Sequence, residues 1–172
     1  MAKIKKYNLV KLIIGFIYKD EAIFMSAKKK LMRKFGKIDF ESKELQFNHT
    51  DHYQAEMGQG LKRKFVSFVK LVPAKNLPKI KLQSNRLETK FLMAQARQIN
   101  IDPGYLNSAK LVLATTKDYA HRIYLQRGIF AEVTLSFKGH SFEPNPWSYT
   151  DYCSQEYIEI FNQIRKLYLP VK

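Results

Sequence analysis

Cysteine is nearly absent. Cys153 is the only one among 172 residues, so the chain can neither close a disulfide on itself nor assemble a thiolate-rich zinc site. A reducing, cytoplasmic compartment is the expectation. Long apolar runs are missing as well. The longest near the start, residues 12–18, falls far short of the ~20 residues a membrane helix needs. The basic start 1–6 meets Lys19, Asp20 and Glu21 without the apolar segment and cleavage site of a secretory signal. No membrane partner is therefore expected. Self-similarity at a period of about 20–50 residues is absent too, which removes solenoids and propellers.

Catalytic signatures are equally scarce. Gly58-Gln59-Gly60-Leu61-Lys62 has neither the Walker spacing nor the Ser or Thr that would hold magnesium, which excludes a P-loop NTPase. Thr116-Lys117-Asp118 lacks one residue of the guanine-reading tetrapeptide of GTPases and reads as coincidence. The four histidines, His49, His52, His121 and His140, show no zinc-protease spacing, and no serine nucleophile motif occurs. His49, Asp51 and His52 lie close enough to share one metal ion. Polar loops commonly hold such residues facing water, however, and no metal is expected. The cofactor is left open.

Acidic residues are outnumbered two to one. Thirty Lys and Arg against 15 Asp and Glu give a formal net charge of +15. Residues 1–100 hold 22 basic and 8 acidic side chains, whereas residues 101–172 hold 8 and 7. Lys28, Lys29, Lys30, Arg33, Lys34 and Lys37 form one cluster, and Lys62, Arg63 and Lys64 form another that is the candidate nucleic-acid contact. Such surfaces attract polyanions; the same residues also serve as ordinary solvated faces. With 45% hydrophobic and 13% aromatic residues, the chain can bury a core. A single domain over 1–172 is expected, basic over residues 1–100 and strand-rich over residues 101–172, where a helix closes it.

Residues 10–18 run apolar without alternation and predict a central strand buried on both faces. Asp20 can cap a helix over 20–35 with the stripe Ile23, Ala27, Leu31 and Phe35, ended by Gly36. Extended chain is expected around Ile38, Phe40, Leu45 and Phe47, then a polar loop over 49–60 and a long strand over 61–72. Pro73 and Pro78 bracket a turn before Lys79-Ile80-Lys81-Leu82, whose alternation predicts a half-exposed strand. A helix capped by Asn85, with Glu88 three residues on, would bury Leu87, Phe91 and Ala94. A short strand over 99–102 should stop at Pro103-Gly104, and another spans 110–116. The hairpin 121–125/129–137, looping through Gln126-Arg127-Gly128, pairs Leu125 with Ile129, Ile123 with Ala131 and Tyr124 with Phe130, and sets Arg122 against Glu132 as an ion pair. An aromatic, Pro-broken loop leads to a helix capped by Ser154 and buried along Tyr157, Phe161, Ile164 and Tyr168. Irregular alternation of strands and helices makes the fold class α+β: a largely antiparallel or mixed sheet, helices mainly on one face, with a ferredoxin-like start as one option.

Asp102, Tyr105, Lys110, Lys117, Asp118, His121, Arg122 and Glu132 make the densest polar set, embedded among Leu111, Val112, Leu113, Ile123, Ala131 and Val133. Burying ions is costly unless they are paired or bind something. One reading is a self-satisfied network, Arg122 with Glu132 and Lys110 with Asp102 or Asp118. The other is a cleft in which Lys110, Lys117 and Arg122, with Tyr105 and Glu132, bind a phosphate or carboxylate, while His121 with Asp102 or Asp118 moves a proton. Tyr53, Trp147 and Tyr149 offer faces on which bases stack, whereas Phe65 and Phe68 read as core. The function expected is binding of a phosphate-bearing ligand, a nucleotide or RNA. A small acid/base enzyme, or a protein-interaction domain using Trp147, are the alternatives.

The strings Asn100-Ile101-Asp102-Pro103-Gly104-Tyr105-Leu106, Lys110-Leu111-Val112-Leu113-Ala114-Thr115-Thr116-Lys117-Asp118 and His121-Arg122-Ile123-Tyr124-Leu125 have a further significance. With Gly128-Ile129-Phe130-Ala131-Glu132-Val133 and Pro146-Trp147-Ser148-Tyr149, they resemble an uncharacterised prokaryotic family, domain of unknown function 4416, over roughly 11–168. The resemblance implies no reaction, ligand or site residues. Some members carry the label GTP-binding protein, which the residues do not support in its usual sense, since both nucleotide motifs are missing; a non-standard nucleotide site stays open.

Overall fold

The computed structural model describes residues 9–48 and 53–169; the basic start 1–6 and the metal candidates His49, Asp51 and His52 lie outside them. Strand β1 (Leu9–Tyr18) buries nine of its ten residues and runs through the middle of the sheet, as its unbroken apolar run predicts. Leu12, Ile14, Phe16 and Tyr18 point to one face, where they pack on Phe24, Ala27 and Leu31 of helix α1 (Glu21–Phe35). Asp20 caps that helix, its Oδ1 accepting the Ala22 N–H at 2.7 Å. Gly36, with φ +97°, takes the left-handed backbone that ends it.

Strands β2 (Ile38–Glu41) and β3 (Leu45–Gln46) follow. The segment expected to be a plain loop contains one helical turn, α2 (Gln54–Met57). The long strand expected over 61–72 is β4 (Lys62–Phe68), with a separate short β5 (Val72–Pro73). Both β1 and β2 are antiparallel to β4, which lies between them, so they are parallel to each other. With α1 as the crossover this is a split βαβ unit, the ferredoxin-like start.

The rest of the chain forms α3 (Leu77–Glu88), β6 (Ile99–Leu106), β7 (Lys110–Thr115), β8 (Ile123–Gln126), β9 (Ile129–Lys138), β10 (Ser141–Pro144) and α4 (Gln155–Tyr168). The sheet order is β10-β9-β7-β6-β1-β4-β2, with β3 on β4, β5 on β1 and β8 on β9. Every one of these pairings is antiparallel, and the fold is α+β. Helices α1 and α3 pack on one face; α4 covers the other through Tyr157, Phe161, Ile164 and Tyr168, the stripe its sequence predicts. Among the described residues no helix is long and apolar enough to cross a membrane.

Four local expectations change. Residues 79–82 are helical, because Pro78 sits in the first turn of α3, where a missing N–H is harmless, and Leu77, Ile80, Ser84 and Leu87 recur at helical spacing. A new helix does not start at Asn85: α3 ends at Glu88, and Ala94 has φ +48°. Nor does β6 stop at Pro103-Gly104. Its partner β7 joins only at Gly104, so Pro103 lies where one neighbour is absent, a position in which a strand tolerates proline. Gly104 serves close approach rather than a turn, since a Cβ there would stand 2.5 Å from the Val112 carbonyl oxygen. The β8–β9 hairpin turns on two residues, Arg127 and Gly128, with φ +55° and +71°. Ile123 faces Ala131 and Tyr124 faces Phe130 as expected, but a bulge puts Gln126, not Leu125, opposite Ile129.

Candidate ligand-binding cleft

Strands β6 and β7 pair only from Gly104 to Leu106. Upstream, β6 stays on β1 while β7 stays on β9, and the two diverge. The opening is a cavity of about 840 Å³, within the usual range for small-molecule sites. Among the described residues four cations, Arg63, Lys81, Arg97 and Lys117, and four carboxylates, Glu88, Asp102, Glu132 and Asp151, line it. Tyr53, Trp147, Tyr149 and Tyr152 supply aromatic surface.

One wall comes from β6 and α3. Register and the two-residue period put Asn100 and Asp102 on the sheet face that also carries Gly15 and Arg63. Lys81 of α3 donates to Asp102 Oδ1 at 3.0 Å and Asn100 to Oδ2 at 2.6 Å. Arg97 bonds Asn100 Oδ1 at 3.2 Å and grips both oxygens of Glu56, with Nε at 2.9 Å from each. Glu88 accepts the Ile101 N–H at 2.6 Å. Burial works against the Asp102 carboxylate, but Lys81 and Arg63 outweigh it and hold its pKa below the ordinary value. Glu88 goes the other way: burial pushes it up to about 7, only partly offset by Lys81 and the Ile101 N–H.

Arg63 forms the floor. Its side chain is 2% exposed, Nη2 donates to the Tyr152 hydroxyl at 2.8 Å, and Asp151 lies 3.9 Å away. The guanidinium stands 4.6 Å from the Phe65 ring centroid and within 6 Å of the Phe47, Tyr152 and Tyr157 rings, an aromatic cage that suits a cation whose Nε has no hydrogen-bond partner among the described residues. Gly15 makes the room, because a Cβ there would meet Arg63 Nη2 at 3.2 Å.

The second wall is built on Glu132 of β9. Arg122 Nε approaches its Oε2 at 2.8 Å and His121 Nε2 approaches the same oxygen at 3.1 Å. Arg122 also donates to the Tyr149 hydroxyl at 2.7 Å and the Lys117 carbonyl at 3.0 Å. The His121 ring lies nearly parallel to Tyr119 and Trp147, with centroids 6.0 and 5.6 Å away.

Of the residues singled out by sequence, Asp102, Lys117 and Glu132 line the cavity, and His121 and Arg122 attach to its wall through Glu132. The expected Arg122–Glu132 ion pair is present. Asp102 pairs with Lys81 rather than Lys110, which stands at the far end of β7, opposite Ser136. His121 contacts Glu132 rather than Asp102 or Asp118, and Asp118 is exposed beyond β7. Tyr105 packs on the other sheet face with Val112 and Ile129. Lys62, Arg63 and Lys64 do not share one surface: Arg63 is buried, while Lys62 pairs with Glu44 at 3.2 Å and Lys64 with Glu21 at 3.1 Å. Phe65 and Phe68 are fully buried, as expected of core, and Trp147 and Tyr149 are exposed.

Sequence reasoning missed Lys81, Glu88, Arg97 and Asn100. Lys81, Asn85 and Glu88 recur at helical spacing and would have been grouped had residues 79–82 been read as helix. Arg63 stands two residues from the buried Phe65, a period-2 hint that it points inward.

Neither the curated proteins nor the solved structures contain a match to the chain. A family model, described as a domain of unknown function, DUF4416, matches residues 8–168, nearly the whole sequence and all of both cleft walls. The protein therefore belongs to the DUF4416 family.

Proposed function

We propose that the cleft between β6 and β7 binds a phosphate-bearing ligand of nucleotide size. The observation that carries this reading is the convergence of four cations, four carboxylates and several aromatic rings on one cavity of about 840 Å³. A lining balanced in charge suits a ligand with both an anionic group and a hydrogen-bonding heterocycle better than it suits a bare anion. Lys117 at the end of β7 is the cation assigned to the phosphate, and the Asn85, Asn100 and Asp102 side chains supply donors and acceptors for the remainder. The net charge of +15 raises the local concentration of any such anion.

Thermal unfolding of nucleic-acid-free protein with ATP, GTP, inorganic phosphate or a short RNA, at low and high salt, tests the reading. Ligands that bind only the native state raise the midpoint by mass action. A nucleotide-induced rise that survives high salt and is reduced in Lys117→Ala is the expected result. A rise with RNA alone that vanishes in salt would replace the cleft with surface electrostatics.

A second reading, acid/base catalysis, is favoured by Glu88 near neutrality facing the same cavity as an ionised Asp102, since carboxylates pushed apart in this way divide acid and base roles. It assigns the proton transfer to Glu88 and Asp102. Phosphate release from bound nucleotide, lost in Glu88→Gln with binding retained, is its expected signature; equal release from that variant contradicts it.

A further inference from the structure

The column of rings on the second wall ends at the cavity. Tyr119, His121 and Trp147 are nearly parallel, with interplanar angles of 5° and 11°. Arg122 lies 4.6 Å from the Tyr119 centroid, and Glu132 holds His121 at 3.1 Å. Trp147 itself is fixed at its polar edge: the indole N–H donates to the Val133 carbonyl at 2.9 Å, a group shared with Asn145 Nδ2 at 2.9 Å. Ser148 is tied to the Thr134 carbonyl. Yet Trp147 is 42% exposed and lines the cavity. With its only donor already used, what the indole offers a ligand is its π surface, already oriented.

We propose that Trp147 is the stacking platform for a planar heterocycle, so that the occupant of the cleft is a nucleotide rather than a sugar phosphate or inorganic phosphate. The inference rests on the cleft reading above and adds the base to it. A base laid on the indole continues the Tyr119–His121–Trp147 column by one ring, on a surface whose order is set before binding, which lowers the cost of association. Its phosphates extend toward Lys117, whose carbonyl is held by the same Arg122 that bonds Tyr149.

Trp147 is the only tryptophan in the chain, so intrinsic emission selectively excited in the indole reports on this residue alone. The full chain is titrated with ATP, GTP, adenosine and inorganic phosphate while emission and the unfolding midpoint are followed. The nucleotides and adenosine are expected to change Trp147 emission, and phosphate to raise the midpoint without changing it. Trp147→Leu should weaken ATP binding roughly tenfold to a hundredfold while the phosphate response persists. Trp147→Phe, which keeps a ring in the column, should lose less and covers the case in which the leucine variant does not fold. ATP that stabilises the protein with emission unchanged, and binds Trp147→Phe and Trp147→Leu as tightly as wild type, overturns the platform and leaves the cleft standing. A response to single-stranded RNA but not to ATP overturns the mononucleotide assignment. No stabilisation by ATP or phosphate overturns the cleft reading itself.

Discussion

Glu132 concentrates the second wall on one carboxylate: Arg122 and His121 share Oε2, and the Thr134 hydroxyl donates to Oε1 at 3.2 Å. The Arg122 and Glu132 side chains are 4% and 1% exposed, so deleting Arg122 takes the guanidinium from a buried carboxylate and leaves it only the His121 and Thr134 contacts. Arg122→Ala is expected to lower the unfolding free energy by about 3–5 kcal/mol, measured in urea, whereas replacing both residues by apolar ones should cost much less. An unchanged urea midpoint for the single variant would show that the pair carries no stability. Glu88 governs a different observable. Its folded pKa is raised from 4.5 to about 7, so the folded state holds the proton more tightly than the unfolded chain. Its contribution is fully present below pH 4.5 and is lost as pH rises through about 7, a loss on the order of 3 kcal/mol. Asp102, whose pKa is lowered, acts in the opposite sense and at lower pH, losing its contribution as pH falls below its ordinary value. Glu88→Gln should therefore flatten the stability profile between pH 4.5 and 7; a variant with the wild-type slope would contradict the assignment.

At the level of elements, the cleft depends on β6 being one strand through Pro103-Gly104. A methyl group at Gly104 would sit 2.5 Å from a backbone oxygen of β7, which cannot swing aside as a flexible side chain can. Gly104→Ala is expected to destabilise the fold by about 2 kcal/mol or more, and thermal midpoints compared with Asp20→Ala, a cap loss of about 1 kcal/mol, give the scale. A smaller effect at Gly104 than at Asp20 would mean that β6 and β7 are not held at this approach. The elements legible in the sequence were those whose signal is local. The apolar run of β1, the Asp20 and Ser154 caps and the four-residue stripe of α4 each carry their meaning within one element. Pro78 and Pro103 do not. A proline fits a turn, a helix N-terminus or a strand with a missing neighbour, and only the packing of α3 on β6 and the late arrival of β7 decide among them.

At the level of the whole molecule, the site was half legible for a related reason. Strands that diverge leave no mark in the sequence, so the polar residues 102–132 could be recognised as a group but not sorted into walls. Asp102 stands on one wall, Glu132 with Arg122 and His121 on the other, and Lys110 and Tyr105 on neither. The partners that complete the first wall, Lys81, Glu88 and Arg97, come from a helix whose start the sequence put at Asn85 rather than Leu77, and from the segment after it. The charge excess has its own location. Lys29, Lys30, Arg33 and Lys34 are exposed on α1, which packs against the sheet face opposite to the one bearing Arg63 and Asp102. Polyanion attraction there should fall steeply with salt, while a ligand held by shape in the cleft should not. The most direct measurement is a backbone amide NMR titration with ATP at high salt. Perturbations gathered at Asn100, Asp102, Thr115–Lys117 and Trp147, on both sides of the cleft, are the predicted result; perturbations confined to α1, or none at all, would contradict the assignment of this cavity as the binding site.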